Sequence, residues 1–323
     1  MVGADQEVLA ITLAWLSAGR RVVLATVVKT WGAAPRPPGA WLALRDDGAC
    51  VGSVSGGCIE DDLADRMRAG RLEADLPYLL EYGVDADEAA RFGLPCGGKL
   101  TILIESRPDA LVMQQLRDAL EAGRLVGRSV DLKTGHVALK NAQRGAGLMF
   151  DGKRVTTVYG PRWRLFIVGA GQIGRYLAEM ARALDYAITV CDPREETAEA
   201  WPLADIPLLR EMTDDALLAW KPDPHSAVVA LSHDPKLDDM LLLEALKSHA
   251  FYVGALGSSR SQIKRRERLA LFDLNETQIA RLHGPVGLNI GSRLPAEIAV
   301  SVLAEITAVK NGVALPAHAG REQ

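Results

Sequence analysis

The 323-residue chain is 48% hydrophobic and 24% charged, which supplies enough apolar surface for one or two packed domains and argues against disorder. Its 37 basic and 41 acidic side chains leave a formal charge of -4, so there is no general electrostatic ground for binding nucleic acid or an acidic membrane. Cys50, Cys58, Cys96 and Cys191 lie far apart with no CxxC pair, which speaks against a disulfide scaffold or a structural zinc site.

Residues 7–18 predict a helix, because Val8, Ile11, Ala14, Trp15 and Ala18 fall on broadly one face. A strand is expected over 21–30, where β-branched residues run almost without interruption. Three prolines and two glycines then make 31–39 a shaped loop. Short strands follow at 40–44 and 50–54 around an Arg45-Asp46-Asp47-Gly48 turn, and a helix over 58–67 opens on Cys58 after Ser55-Gly56-Gly57. A strand pair is expected at 77–82 and 100–105, with Leu94-Pro95-Cys96-Gly97-Gly98-Lys99 just before the second. A helix over 109–122 leads into a weakly patterned stretch with a strand near 154–159, and the Tyr159-Gly160-Pro161 break predicts a domain boundary.

Beyond that break the pattern becomes strand 164–168, helix 173–184 and strand 187–191, one βαβ unit of Rossmann length. Further strands at 227–231 and 250–253 alternate with helices at 237–247 and 261–269, and a last helix runs over 295–306 from Pro295. The expected fold is therefore α/β: an N-terminal mixed α/β domain with short strands, followed by a C-terminal Rossmann-like, doubly wound parallel-sheet domain. The boundaries read as a cofactor-handling domain at 1–108, a connecting region at 109–160, the Rossmann-like domain at 161–310 and a tail at 311–323. The first residues carry no basic leader ahead of an apolar run, and no stretch holds eighteen uninterrupted apolar residues, so a soluble cytoplasmic protein is expected.

The strongest short signal is Gly169-Ala170-Gly171-Gln172-Ile173-Gly174 between a predicted strand and helix. Gly169 allows a tight turn, Gly171 lets a pyrophosphate approach the backbone, and Gly174 lets helix pack on sheet. Asp192, 23 residues after Gly169, stands where a carboxylate can accept from a ribose hydroxyl, favouring NAD(H) over NADP(H), although Arg194 beside it blurs the choice. Ser232-His233-Asp234 and Gly254 to Arg260 follow later strands and open on the same sheet edge. His233 can transfer a proton with Asp234 orienting it, or simply pack or cap a helix. Gly257 and Ser258 can capture phosphate or cap the next helix, with Lys264-Arg265-Arg266 as its solvated basic face.

In the first domain, Cys58 at a helix start and Cys96 beside a Gly-Gly turn and Lys99 are candidates for thiolate chemistry, as soft ligands or sulfur-handling nucleophiles. Cys50 and Cys191 read as buried small hydrophobes. Arg36 and Lys99, each in a constrained loop, can surround an oxyanion or a cofactor phosphate. Glu60 can take a pterin-like amide edge or a metal, or serve the N-terminal end of its own helix.

The order of motifs resembles the XdhC/CoxI family of accessory proteins to molybdenum-dependent hydroxylases. The resemblance rests on Gly32 to Arg36, Gly52 to Glu60 and Gly93 to Gly98 in the first domain. In the second it rests on Phe166 to Gly171, Cys191 to Arg194, His233-Asp234, Tyr252 to Ser258, Gly287 to Gly291 and Pro295 to Ser301. It implies a non-catalytic maturation chaperone that binds molybdenum cofactor in its molybdopterin form, supports its sulfuration with a cysteine desulfurase, and inserts it into the large subunit of a xanthine dehydrogenase-family enzyme. It makes Cys58 and Cys96 candidates for the molybdenum end of the cargo, with Ser55, Gly56, Gly57, Gly97 and Gly98 around them, and Arg36 and Lys99 candidates for its phosphate or pterin. An NAD(P)(H)-dependent oxidoreductase or a nucleotide-sensing module remains the alternative from the Gly169, Gly171 and Gly174 turn. A homodimer is expected, with no nucleic-acid or membrane partner.

Overall fold

The structure, a computed structural model, describes residues 4–31, 36–83, 99–161 and 163–314. The chain divides into two compact units, one ending at Pro161 and one made of the residues beyond it.

The first unit opens with α1 (Ala4–Ser17), β1 (Val22–Trp31), β2 (Trp41–Arg45), β3 (Cys50–Gly52), α2 (Cys58–Arg68), β4 (Tyr78–Tyr82) and β5 (Lys99–Glu105). These strands form an antiparallel sheet in the order β3-β2-β1-β5-β4. Alternation sends Val23, Ala25 and Val27 of β1 against Ile59, Leu63 and Met67 of α2, while Val22 and Leu24 face Val8, Leu9 and Leu13 of α1. Both faces are covered, which is why β1 reads as an unbroken apolar run rather than an alternating one.

Residues 109–160, expected as a connecting region, build α3 (Ala110–Glu121) and a second antiparallel sheet of β6 (Val126–Asp131), β7 (Val137–Asn141), β8 (Met149–Phe150) and β9 (Arg154–Tyr159), ordered β7-β6-β9-β8. Asp109 caps α3 through its carboxylate, which accepts from Leu111 N at 2.8 Å and Val112 N at 3.2 Å. The two sheets of this unit are joined by a buried fork: Arg128 Nη1 and Nη2 donate to Glu105 Oε2 and Oε1 at 2.8 and 2.6 Å. No helix among the described residues is long and apolar enough to cross a membrane.

The second unit contains β10 (Trp163–Val168), α4 (Gln172–Ala183), β11 (Tyr186–Cys191), α5 (Glu195–Glu199), β12 (Leu208–Leu209), α6 (Thr213–Trp220), β13 (Ser226–Ala230), α7 (Pro235–Ala245), β14 (Tyr252–Ala255), α8 (Ser259–Leu269), α9 (Glu276–Ala280), β15 (Leu282–His283) and α10 (Pro295–Lys310). All six strands pair parallel in the order β12-β11-β10-β13-β14-β15. Counted from its own first strand this is 3-2-1-4-5-6, the doubly wound Rossmann order, with the chain reversing direction across the sheet between β10 and β13. Leu165 and Ile167 bury one face of β10 under α4 and α10, and Phe166 and Val168 bury the other under α6 and α7. Glu305 of α10 fastens that helix to the sheet edge, accepting from Tyr252 Oη at 2.5 Å and Gly287 N at 2.6 Å, with His283 Nδ1 at 3.1 Å.

Candidate functional site

Antiparallel pairing fixes which loops meet. The C-terminal ends of β1, β3 and β4 and the N-terminal ends of β2 and β5 all lie along one edge of the five-stranded sheet. The chain leaves that edge after Trp31, after Gly52 and after Tyr82, and returns to it at Trp41 and Lys99. The described residues that flank the three N-terminal motif segments therefore lie on the same side of this unit.

The best defined part of that edge is the turn Ser53-Val54-Ser55-Gly56-Gly57, and its organiser is Glu60 from the first turn of α2. Oε1 of Glu60 accepts from Ser53 Oγ at 2.7 Å and from the amides of Val54, Ser55 and Gly56 at 2.9, 2.8 and 2.8 Å. Oε2 accepts from Gly57 N at 2.9 Å and from the Ser55 hydroxyl. Burial pushes the Glu60 carboxyl upward, but hydrogen bonds from Ser55, Ser53 and the turn amides outweigh it and hold the group at about 2. The turn is thus wrapped around a permanent internal anion, and the amides a phosphate would use are already taken. Ser55 and Glu60 shape the loop.

Arg36 joins this cluster through Nε, which donates to Ser53 Oγ at 3.1 Å. The rest of its guanidinium is exposed. Gly56 has φ of +89, and a Cβ added at Gly56 or Gly57 would meet nothing within 4 Å, so the Gly-Gly step is an open approach to the start of α2. Cys58 is the first residue of that helix; its side chain, like Cys96, Gly97 and Gly98 altogether, lies outside the described residues. Lys99 opens β5, is exposed, and pairs across the strands with Trp31. Cys191 is fully buried as expected, whereas Cys50 is exposed: β3 is a three-residue strand at the sheet edge, and none of its residues is fully buried.

The Rossmann turn sits at the carboxyl end of β10. Gly169 has φ of +111, and a Cβ there would stand 2.8 Å from the Leu231 carbonyl carbon, so this turn lies flat against the end of β13. A Cβ at Gly174 would strike the Gly169 carbonyl oxygen, which is the close helix packing expected of the third glycine. Gly171 caps α4 with no side chain and faces open space.

Asp192 occupies the end of β11 with 0% exposure, and its oxygens turn inward. Oδ2 accepts from Ala170 N at 2.9 Å, Oδ1 from Arg194 N at 3.1 Å, and the Arg194 guanidinium grips both at 2.8 and 2.7 Å. Burial raises the Asp192 carboxyl, yet the Arg194 and Ala170 bonds outweigh it and keep the group below the usual carboxylate range. The carboxylate expected to meet a ribose is spent on anchoring the glycine turn, so the residues present do not fit a ribose diol at this position.

The neighbouring loops are likewise tied down. Ser232 N and Oγ donate to Asp238 Oδ1 at 3.2 and 2.6 Å, Arg265 Nη2 meets Asp238 Oδ2 at 3.2 Å, and Arg265 Nη1 donates to Leu256 O at 2.9 Å. Arg265 is therefore buried in a network joining the loops after β13 and β14, not part of a solvated basic face. The sequence signal was present: Gln262, Arg265 and Leu269 recur at the spacing of a buried helix stripe. Ser258 caps α8 by accepting from Ser261 N at 3.2 Å, and Gly257 before it has φ of +142. Asp234 caps α7 by accepting from Lys236 N at 2.9 Å, and no described hydrogen bond joins it to His233. His233 is exposed at φ of +63, a left-handed conformation that a histidine adopts more readily than most residues.

Residues 15–83 match the XdhC and CoxI family, and residues 165–306 match the XdhC Rossmann domain. The chain belongs to the XdhC/CoxI family. Among relatives of this family member, the molybdenum cofactor insertion chaperone PaoD of Escherichia coli (strain K12) is 29% identical over 91% of this chain and 85% of that protein. A protein of Bacillus subtilis (strain 168), named as a probable xanthine dehydrogenase subunit, is 28% identical over 91% of this chain and 94% of its own length. The crystal structure of a xanthine dehydrogenase from Bacillus halodurans superposes with a TM-score of 0.70 at 25% identity, covering 100% of this chain and 97% of that one.

Proposed function

We propose that this XdhC/CoxI protein handles molybdenum cofactor during maturation of a xanthine dehydrogenase-family enzyme, receiving the cargo on the loop-bearing edge of its N-terminal sheet. The observation that carries the reading is the Glu60-wrapped turn, which fixes the start of α2 at Cys58 and joins it through Ser53 to the exposed guanidinium of Arg36. A thiol at the first helical position is biased toward thiolate, the soft donor that suits a sulfur-rich molybdenum centre, and an exposed arginine fork suits an anionic cargo. Family membership supports the cargo class, and the names of the relatives support a molybdoenzyme client.

In the finer reading, Cys58 and Cys96 hold or shield the molybdenum while an oxo group is replaced by sulfur drawn from a cysteine desulfurase, and the loaded chain then docks on the apoenzyme. The nucleotide-enzyme reading has less support, because Asp192 already spends its oxygens on Ala170 and Arg194.

The test is capture. Purified protein is mixed anaerobically with molybdenum cofactor, separated from free ligand, and assayed for bound molybdenum and pterin. Capture near one cargo per chain is expected for the parent and for Gly171→Asp, with loss in folded Cys58→Ala or Cys96→Ala. No capture by the parent, under conditions where an established carrier binds, would overturn the reading. Loss confined to Gly171→Asp would move the cargo to the Rossmann turn.

A further inference from the structure

The same sheet edge carries a feature that the thiol and arginine assignments leave unused. The register of β1 and β5 shifts between Val27 and Lys29, and beyond the shift Lys29 stands opposite Thr101 and Trp31 opposite Lys99. Thr101 in turn faces Glu81 on β4. Directly opposed residues share a sheet face, as do residues two apart along a strand, so Lys29, Trp31, Glu81, Lys99 and Thr101 all project from one side. The other side of the same strands is filled by Leu100 and Tyr82, which are buried in the core under α2.

The second sheet covers this face only in part. Leu103 and Leu79, one step further along β5 and β4, pack against Val130 and Val155 of β6 and β9. Past them neither β6 nor β9 contributes to that cluster, and a cleft of about 470 Å³ is lined, among the described residues, by these five and their strand neighbours. Trp31 is 71% exposed there, an indole face with a lysine on the strand beside it and another two residues back. A volume of this size suits a single small ligand.

Resting on the proposed cargo reading, we infer that this cleft is the pterin subsite: Trp31 stacks on the heterocycle, Lys29 and Lys99 hold its phosphate, and Glu81 accepts from its amino-pyrimidinone edge. The chemistry is selective for an anionic planar heterocycle. An indole offers every flat π-system a stacking face, the ammonium groups require a negative tail, and a carboxylate pairs with adjacent N–H donors as found on a pterin. The subsite would hold the organic end of the cargo.

The experiment uses the full chain with three ligands: molybdenum cofactor, 6-hydroxymethylpterin phosphate and unphosphorylated 6-hydroxymethylpterin, the last two followed by their own fluorescence. Trp31→Ala is expected to weaken both cofactor and pterin phosphate about tenfold, and Trp31→Phe to recover most of that loss, a rescue that a purely structural role would not show. Lys29→Ala with Lys99→Ala is expected to weaken the phosphorylated pterin and flatten its salt dependence while leaving the neutral pterin unchanged. Since these side chains are exposed, the variants should fold, as thermal unfolding would verify. Cofactor capture by the parent that is equally strong in Trp31→Ala and in the double lysine variant would overturn the subsite and leave the carrier reading standing. Absence of cofactor capture by the parent would overturn the carrier reading, and pterin-phosphate binding indifferent to Trp31 would then overturn the subsite independently.

Discussion

Arg194 grips Asp192 at two points, Nε to Oδ1 at 2.8 Å and Nη2 to Oδ2 at 2.7 Å, while its remaining nitrogen, Nη1, reaches the Ser232 carbonyl oxygen at 3.1 Å. One side chain from the end of β11 therefore crosses the glycine turn and ties it to the end of β13. The contact spans the place where a Rossmann sheet ordinarily opens toward its ligand.

Arg194→Ala should destabilise the second unit by about 2 kcal/mol, below the usual cost of stranding a buried charge because the guanidinium itself is partly exposed and screened. The remaining Asp192 carboxylate would keep Ala170 N but lose its counter-charge. Urea unfolding followed by circular dichroism measures the shift in midpoint. An unchanged midpoint would mean that the clasp contributes nothing to folding.

Glu60→Gln should cost roughly 2–3 kcal/mol, because whichever way the amide turns, at least two of the turn's N–H or O–H donors meet an NH₂ group. The pH dependence has a definite sign. The folded carboxyl lies at about 2, below its ordinary 4.5, so its contribution is full above about pH 5 and fades as pH falls toward 2. That contribution is on the order of 3 kcal/mol in the parent. Acid titration of stability should show this slope in the parent and lack it in Glu60→Gln.

Glu105 and Arg128 are 5% and 3% exposed. Arg128→Met alone strands a buried carboxylate and should destabilise by about 3–5 kcal/mol, whereas Glu105→Leu combined with Arg128→Met should recover most of the loss. A double-mutant cycle by chemical denaturation decides it; additive costs would contradict the pairing.

Burial, reinforced by Glu211, Asp192 and Asp214, pushes the Cys191 thiol up to about 12, and the residue is inaccessible. Iodoacetamide at pH 8 should leave Cys191 unmodified in the folded chain. Cys50 is exposed, but partial burial together with Glu60 and Asp61 raises its thiol above the ordinary value, so it should be alkylated slowly. Peptide mass spectrometry after a timed quench separates the two, and fast labelling of Cys191 would contradict the packing of β11.

The glycine turn was legible because its spacing between a strand and a helix is a local pattern, and the clash of a Gly174 side chain with the Gly169 carbonyl is set within the turn itself, although the close approach of Gly169 to Leu231 is long-range. The inward turn of Asp192 was not legible, since a strand-end position does not say which way a carboxylate points once Arg194 stands two residues away. The sheet of 126–159 was largely hidden for a related reason. Its strands are short, one of them, β8, is a two-residue edge of exposed Met149 and Phe150, and its buried charge, Arg128, finds its partner 23 residues earlier in another sheet. That Trp31 and Lys99, which flank two of the motif segments, share one edge follows from pairing β1 with β5, a long-range choice that no local pattern encodes. Cys96 and its glycines lie outside the described residues, so the expectation for them stands where the motif left it.

A turn that carries its own counter-ion has no need of a guest to hold its shape. The loop from Ser53 to Gly57 is closed around Glu60 by its own amides and hydroxyls, so on the proposed carrier reading loading would require little ordering of this segment and release would let little of it collapse. On that reading, a carrier built in this way would leave each delivery in the form in which it began, ready to be refilled. The direction of transfer would then be set by the receiving enzyme's stronger hold on the cargo and not by any spring wound into this turn.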